Sequence, residues 1–299
     1  MRQTNIITLL CLFCFFQTSA QKETSNWYFS DQQGFSFNSG TMQPIAGIPA
    51  NTYFLENTIV CSDANGNLNF IYNASPALVL NKNYQQMAGQ VPAGNNAFLG
   101  KPLWAKYPGS ISKYFVFYSA GTPTSYKADL KYSVIDMSLN GGLGQVLTTD
   151  VIVDTSLSTG FCLINKTGSD EFWIVNNRYR TDSFYSRLVT ATGVNTQSNL
   201  SIAGLNPYKT EYNFLNMRAS HDGKLIAGGM FTLYTGPFPT PKSNLEVFNF
   251  NKQTGVITNR VISKNLIGNT VMHLEFSPDS KLLYSIQNWV AAGLQPCGF

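Results

Sequence analysis

The stretch Met217-Arg-Ala-Ser-His-Asp-Gly-Lys-Leu-Ile-Ala227 recurs 57 residues later as Leu274-Glu-Phe-Ser-Pro-Asp-Ser-Lys-Leu-Leu-Tyr284. Each copy consists of an apolar strand, a Ser-x-Asp-x-Lys turn and a second apolar strand. Asp forms hydrogen bonds with the backbone of such turns, and Gly adopts the positive φ that they need. The pair therefore predicts a repeated β-hairpin. Its structural turn residues are Asp222, Gly223, Pro278 and Asp279.

Weaker copies of this hairpin occur at Cys61–Leu68, Lys106–Tyr114 and Asn165–Phe172, and the first of them adds Asp63 and Gly66 to the turn residues. Units then start near residues 57, 103, 160, 214 and 271. A propeller repeats one four-stranded unit around a ring, whereas a sandwich does not. The sequence therefore predicts an all-β fold, a WD40/YVTN-like β-propeller of four-stranded blades with about five blades recognisable.

The rest of the chain supports strands over helices. Charged residues make up only 12% of the sequence, and no long stretch has helical periodicity with caps. The predicted strands are short and bounded by turn residues. They are Thr58–Ser62, Leu68–Tyr72, Lys113–Ser119, Leu130–Met137, Gly160–Ile164, Glu171–Asn176, Ser183–Thr190, Leu215–Ala219, Lys224–Gly228, Leu245–Phe250, Met272–Phe276 and Lys281–Ile286.

The fifth unit contains only two predicted strands. Asn26–Phe37 could supply the missing pair, because Phe35–Gly40 resembles the exit of a third strand at Phe248–Gly255. Joining both chain ends in one blade would remove the exposed sheet edges. A truncated ring that lacks further blades is the alternative.

The N-terminus has the features of a secretory signal peptide. Arg2 precedes an apolar run from Ile6 to Phe16, and Thr18-Ser19-Ala20 provides small residues before Gln21. We expect cleavage after Ala20, a β-propeller domain over residues 21–299, and a secreted or outer-surface location. No later segment has the roughly 20 apolar residues of a membrane-spanning helix.

Charge and cysteine content bear on the binding partner and on disulfide bonds. Cleavage removes one positive charge from a formal net charge of +4, and the other charges are scattered, which does not favour nucleic acid or an anionic membrane as partner. Cys61, Cys162 and Cys297 remain after cleavage. They are either buried free thiols or one disulfide with one free thiol.

Several segments resemble one family in the expected order. They are Asn26–Phe29, Gly34–Phe37, Ser62–Leu68, Asp136–Gly144 and Leu188–Gly193. Together they resemble the propeller regions of large secreted Bacteroidetes proteins, which precede adhesion-type repeats and a gliding-motility-associated sorting domain. The resemblance covers nearly all of residues 26–286. It implies a surface scaffold exported by the type IX secretion route, although no sorting domain follows in this sequence.

Motifs for chemistry are few. His273 and Glu275 share one strand face and could ligate a metal, but an ordinary strand pair is the better interpretation. Asp63–Asn67 imitates the start of a calcium loop, yet Ala74 occupies the position of the distal Glu. Asn140–Gly144 lacks the Gly-Lys-Ser/Thr ending of a phosphate loop. We predict turns at both, no cofactor and no metal.

Three functional classes follow. The first is a non-catalytic binding scaffold with a protein or surface glycan as partner. The second is a lactonase-like or glycan-cleaving propeller hydrolase, for which Asp170, Glu171 and Asp182 near Trp173 are the candidate carboxylates. The third is a carbohydrate-binding propeller, suggested by aromatic residues in loops. These are Tyr179, Tyr208, Tyr234 and Phe238.

Overall fold

The computed structural model describes residues 22–50, 52–54, 57–74, 77–92, 100–121, 127–203, 214–230, 242–267 and 269–289. Within these ranges the protein is all-β, as predicted, with one short 3-10 turn at Asn140–Gly142. The strands are β1 (Asn26–Asp31), β2 (Gln33–Ser36), β3 (Gln43–Pro44), β4 (Tyr53–Phe54), β5 (Thr58–Ser62), β6 (Leu68–Ala74), β7 (Ala77–Asn81), β8 (Ala88–Gly89), β9 (Leu103–Lys106), β10 (Lys113–Gly121), β11 (Ala128–Asp136), β12 (Gln145–Asn165), β13 (Phe172–Arg178), β14 (Ser183–Thr190), β15 (Gly193–Val194), β16 (Asn199–Ile202), β17 (Phe214–Ala219), β18 (Leu225–Met230), β19 (Lys242–Asn251), β20 (Val256–Ile267), β21 (Asn269–Phe276) and β22 (Leu283–Trp289).

These strands form mostly antiparallel sheets that follow chain order. The N-terminal sheet has the order β3-β2-β1-β4, and the first unit is β5-β6-β7. A nine-stranded sheet contains the second unit (β9, β10, β11 and the start of β12) and the third unit (the end of β12, β13 and β14, with β15 and β16 paired to β14), and its ninth strand, β8, pairs in parallel with the start of β12. The fourth unit is the four-stranded sheet β17-β18-β19-β20, and the fifth unit is the pair β21-β22.

Every predicted strand overlaps an observed one. Thr58–Ser62 and Ser183–Thr190 coincide with β5 and β14 at both ends. The agreement arises because Asp, Asn and Gly end these strands in turns whose hydrogen bonds are local and therefore visible in sequence. The glycines of Asn140–Gly144 likewise form a turn between β11 and β12, in which the Asn140 side chain donates to the Gly144 carbonyl.

Strand β12 departs from the prediction of a new strand at Gly160. It runs without a break from Gln145, pairs with β11 as far as Leu157, and pairs with β13 from Leu157 onward. Asp150 and Ser156 adopt positive φ within it. These two bends redirect one continuous strand from the second unit into the third, which explains why the two units share a sheet.

The prediction that Asn26–Phe37 completes the fifth unit is wrong for the described residues. β1 lies between β2 and β4, and β2 lies between β1 and β3, whereas β21 and β22 pair only with each other. The backbone groups of the N-terminal hairpin are therefore already committed to its own sheet.

Successive units stack face to face, including the second and third units, which belong to one continuous sheet. Side chains alternate between faces along each strand, so a sheet can pack on two neighbours. On β10, Tyr114 and Val116 join a cluster with the first unit, while Phe115 and Phe117 join a cluster with the third. The same alternation buries the third unit against the fourth and the fourth against the fifth, and the N-terminal sheet packs on the first.

The first strands of consecutive layers are also neighbours. β1 contacts β5, β5 contacts β9, β9 contacts β12, β12 contacts β17, and β17 contacts β21. From the first unit to the fifth, the first strands of consecutive units therefore lie next to one another, and β1 of the N-terminal sheet lies next to the first of them. Among the described residues, no helix is long and apolar enough to cross a membrane.

Candidate functional site

The turns between first and second strands have one geometry in the fourth and fifth units. The Asp222 carboxylate accepts from the Ser220 hydroxyl at 2.7 Å and the Lys224 backbone N–H at 3.0 Å. The Asp279 carboxylate accepts from Ser277 and Lys281 in the same way, at 2.6 and 3.2 Å. The backbone donor and the Ser220 hydroxyl hold the pKa of Asp222 below its ordinary value.

Each of these two turns contains a residue with positive φ. Gly223 has a φ of +70°, and Ser280 adopts +60° at the matching position in the fifth unit. Pro278, next to Asp279 in the same turn, is exposed. All four structural turn residues predicted in the two best repeats therefore lie in hairpin turns.

Asp63 caps the turn of the first unit. Its carboxylate accepts from the backbone N–H groups of Asn65 and Asn67 at 2.9 and 2.8 Å, and Gly66 has a φ of +85°. Burial opposes ionisation of Asp63, but the hydrogen bonds outweigh it and its pKa lies below the ordinary value. The calcium-loop resemblance is thus explained by a turn whose carboxylate serves the local backbone.

Neighbouring turns are fastened to one another. The Gly109 N–H donates to the Asp170 carboxylate at 2.6 Å, which joins the second unit to the third. The Asp222 N–H donates to the Ser280 hydroxyl at 3.0 Å, which joins the fourth to the fifth. The Lys252 ammonium donates to the Asp222 carbonyl at 2.9 Å. We call this end of the molecule, which carries the turns between first and second strands, the turn end.

An open groove of about 370 Å³ lies at the turn end between the third and fourth units. Apart from Phe250, its lining carries ammonium, amide and hydroxyl groups, which bind polar or anionic ligands. The lining residues are Thr167, Lys224, Asn249, Phe250, Asn251, Lys252, Gln253 and Thr258. We take this groove as the candidate ligand site. In the sequence, Lys224 is the Lys of the repeated Ser-x-Asp-x-Lys turn, a pattern that indicates a hairpin and not a ligand site.

The opposite end of the sheets carries buried polar side chains. The ring of Tyr72 stacks on that of Tyr118 with centroids 5.6 Å apart. The Tyr118 hydroxyl lies 3.1 Å from the Ser133 hydroxyl and 3.2 Å from the Asp150 carboxylate. Burial raises the pKa of Tyr118 to about 12 and raises that of Tyr72 further, so both hydroxyls stay protonated at neutral pH.

Asparagines end two of the second strands at this polar end. The Ser158 hydroxyl donates to the Asn177 side-chain carbonyl at 2.9 Å, and the Asn177 amide donates to the Thr181 and Ser183 carbonyls. The Thr58 hydroxyl donates to Asn73 at 2.8 Å in the first unit. The bonds from Ser158 and Thr58 tie each second strand to its first strand, and the Asn177 amide also ties β13 to the turn that follows it and to the start of β14. Sequence reasoning missed them, because an Asn after an apolar run also signals an ordinary turn.

The carboxylates proposed for a hydrolase do not converge. Asp170 and Glu171 precede β13, whereas Asp182 follows it, so the length of the strand separates them. Asp170 accepts from Gly109, and Glu171 pairs with the Lys166 ammonium at 2.7 Å. The hypothesis of a cluster around Trp173 is therefore wrong, because β13 places its members at opposite ends of a seven-residue strand.

The remaining candidate residues are the loop aromatics and the pair His273 and Glu275. Tyr179 is half-buried in the turn after β13, and the Arg180 guanidinium lies 5.0 Å from its ring centre. Tyr208, Tyr234 and Phe238 lie outside the described residues. His273 and Glu275 are both exposed on β21. Across the described ranges, no three His, Cys, Asp or Glu side chains are grouped as a metal site would require.

Cys61 and Cys162 are free thiols, both buried, as one of the two interpretations predicted. Burial raises the pKa of Cys162 to about 12 and that of Cys61 higher still. Both thiols therefore act as small apolar side chains of the core. Cys297 lies outside the described residues.

Comparison with known proteins finds no family for this chain and only weak similarity to solved structures. No protein-family model and no curated protein matches the chain. Among solved structures, Sqt1 from Chaetomium thermophilum is 16% identical with a TM-score of 0.33, and the match covers 63% of this chain and 42% of Sqt1. The periplasmic gluconolactonase PpgL of Pseudomonas aeruginosa is 10% identical with a TM-score of 0.34, and the match covers 86% of this chain and 85% of PpgL.

A third similar structure is the tricorn protease, 11% identical with a TM-score of 0.28, where the match covers 88% of this chain and 28% of that one. The chain thus spans less than half the length of Sqt1 and of the tricorn protease. At these TM-scores the likenesses indicate nothing about function.

Proposed function

We propose that this protein is a secreted, non-catalytic β-propeller that acts as a binding scaffold, with the groove at the turn end as its ligand site. The observation that carries the proposal is the serial packing of the layers. Each of the first four units is covered on one face by the preceding layer and on the other by the following one, and the first strands of consecutive units are neighbours. Blades that surround a common axis require both features.

The groove defines the chemistry of the ligand. Lys224 and Lys252 bring two ammonium groups, and Asn249, Asn251 and Gln253 bring amides that donate and accept hydrogen bonds. A surface glycan with carboxylate or sulfate substituents offers matching acceptors and hydroxyl groups. We propose such an acidic glycan as the ligand.

Export is part of the same proposal. A scaffold that binds surface glycans must reach the outside of the cell, and the N-terminal signal pattern provides the first step. The family resemblance adds the type IX route. Sequencing the N-terminus of the exported protein tests the first step directly: we expect it to begin at Gln21, and a retained Met1 would contradict export by cleavage.

An array of neutral and acidic glycans probed with the mature chain tests the ligand. We expect binding to acidic members, and Lys224→Gln to weaken it about fivefold, the equivalent of roughly 1 kcal/mol for a solvent-exposed ion pair. Lys281→Gln is the matched control, because Lys281 occupies the same position of the repeated turn outside the groove. A blank array, or equal loss in both variants, would refute the groove as a glycan site.

The hydrolase alternative has its own test. Mature chain incubated with lactones and with aryl glycosides should release no product above the buffer rate. Turnover that persists in a purified sample and disappears in a single carboxylate variant would show that the protein is an enzyme.

A further inference from the structure

Side chains of the third unit hold the turn that joins β19 to β20 in the fourth unit. The Trp173 indole N–H donates to the Lys252 carbonyl at 2.8 Å, and the Asn199 side-chain amide donates to the Thr254 carbonyl at 2.7 Å. Trp173 is buried in the core between the two units, whereas the Asn199 bond is exposed. Because Lys252 lines the groove, the third unit fixes the backbone of one groove wall.

The end of this turn packs directly on the Trp173 ring. Gly255 has a φ of +74°, and a Cβ atom added to it would lie 2.6 Å from two ring carbons of Trp173. The Ser186 hydroxyl donates to the Gly255 carbonyl. Since no Cβ fits between the turn and the indole, the Trp173 ring sets how closely the turn approaches the third unit.

The Lys252 side chain is held in place as well as its backbone. Its ammonium donates to the Asp222 carbonyl at 2.9 Å, and a Cβ added to Gly223 would lie 3.0 and 3.2 Å from Cδ and Cε of its stem. The Lys224 side chain, in contrast, is 76% exposed and lies 3.6 Å from the Asp222 carboxylate. A side chain that is already ordered loses less conformational entropy when a ligand binds. Lys252 is therefore the better-ordered cation of the groove.

The bonds to the third unit also suit an anionic ligand. Backbone carbonyl oxygens are hydrogen-bond acceptors with partial negative charge, so they repel anions. Three carbonyls of this turn already accept from third-unit donors. The side chains of Lys252 and Gln253 line the groove. The turn thus offers donor groups to the groove while its carbonyl oxygens are occupied elsewhere.

We propose that Trp173 is a positioning residue for ligand binding at the groove and that it acts through Lys252. The indole N–H holds the Lys252 carbonyl, and the ring fixes the approach of the turn at Gly255. Together they place the Lys252 ammonium where an acidic group of the ligand binds. This role rests on the proposed function, in which the groove binds an acidic glycan.

Calorimetric titration of the mature chain with a heparin hexasaccharide, which carries carboxylate and sulfate groups, tests this role. Trp173→Phe keeps an aromatic ring but removes the N–H donor, and it should weaken binding about threefold. Trp104→Phe is the matched control, because the Trp104 indole N–H donates to the Val60 carbonyl at 2.9 Å between the first two units, outside the groove. It loses the same kind of bond and should bind the hexasaccharide like the wild type.

Double variants separate positioning from a general loss of stability. Lys252→Gln should weaken binding about fivefold. Adding Trp173→Phe to it should weaken binding no further, because the ammonium that Trp173 positions is gone. In a Lys224→Gln background, the effect of Trp173→Phe should remain about threefold. If Trp173→Phe does not fold, Asn199→Ala removes an exposed bond to the same turn and should weaken binding about twofold.

Failure of this role can be told apart from failure of the proposed function. A wild type that does not bind the hexasaccharide would refute both. Wild-type binding that Trp173→Phe leaves unchanged, or that Trp104→Phe weakens equally, would overturn the positioning role and leave the groove as the glycan site. The same holds for a Trp173→Phe effect that persists beside Lys252→Gln, and for an Asn199→Ala variant that binds like the wild type.

Discussion

Gly229 of the fourth unit lies directly against Val271 of the fifth, and a side chain added at position 229 should therefore destabilise the protein. A Cβ atom added to Gly229 on β18 would lie 2.6 and 2.9 Å from two carbons of the Val271 side chain on β21. Real Cβ atoms do not approach other atoms so closely, and Val271 is fully buried. Overpacking of this kind costs about 1 to 3 kcal/mol, so Gly229→Ala should destabilise the protein by that amount.

A second substitution separates this contact from a general effect of alanine. Val271→Ala removes two buried methyl groups and should cost about 2 kcal/mol alone. In the double variant the closer of the two carbons, Cγ1 of Val271, is gone, so the new methyl at position 229 retains only the 2.9 Å approach to Cβ. The combined cost should therefore fall short of the sum of the single costs by at least about 1 kcal/mol.

Urea unfolding of the mature chain, followed by circular dichroism, measures these free energies. The matched control is Val189→Ala, because Val189 is equally buried but lies between the second and third units. Its cost should add to that of Gly229→Ala within about 0.5 kcal/mol. If Val271→Ala is also additive with Gly229→Ala, the first strand of the fifth unit does not pack on the fourth unit, and the stacking described above is incorrect.

Three further predictions concern the turns, the thiols and the polar end. Asp222→Asn should lower stability at neutral pH by about 1 kcal/mol. Because the folded pKa of Asp222 lies below its ordinary value of 3.8, the difference in stability from the wild type should shrink as the pH falls through that range. A difference in urea unfolding that stays constant down to about pH 3 would contradict this. In a Cys297→Ser background, neither Cys61 nor Cys162 should react with a thiol reagent at about pH 8 until the protein is unfolded, so rapid labelling of the native protein would show that one of them is accessible. Asn177→Leu leaves the Ser158 hydroxyl and two backbone carbonyls without their hydrogen-bond partner. It should lower the free energy of unfolding by about 2 kcal/mol or more, measured in thermal or urea unfolding, whereas Asn195→Leu at an exposed position should lower it little.

Local hydrogen bonding explains what the sequence could predict. The turns at Asp63, Asp222 and Asp279 are formed by side chains that bond the backbone within five residues, so their signature is complete in a short stretch. The strands on either side follow, because an apolar run bounded by two such turns has a defined start and end. This is why the sequence predicts the strand positions well within the described ranges.

Long-range pairing explains what the sequence could not predict. The N-terminal hairpin carries the same apolar pattern as a blade strand, and nothing in that pattern distinguishes β4 from β22 as its neighbour. The continuity of β12 depends on positive φ at Asp150 and Ser156, neither of which is glycine. The groove combines turns of the third and fourth units. Its lining residues come together only after those units have stacked.

A crystal structure of residues 21–299 tests the central claim, the serial stacking of units around an axis, most directly. Stacking around an axis requires that the first strands β5, β9, β17 and β21, together with the final segment of β12, lie side by side in chain order around one axis, with each interior unit covered on both faces. Two large sheets packed as a sandwich, with these first strands divided between them, would contradict it.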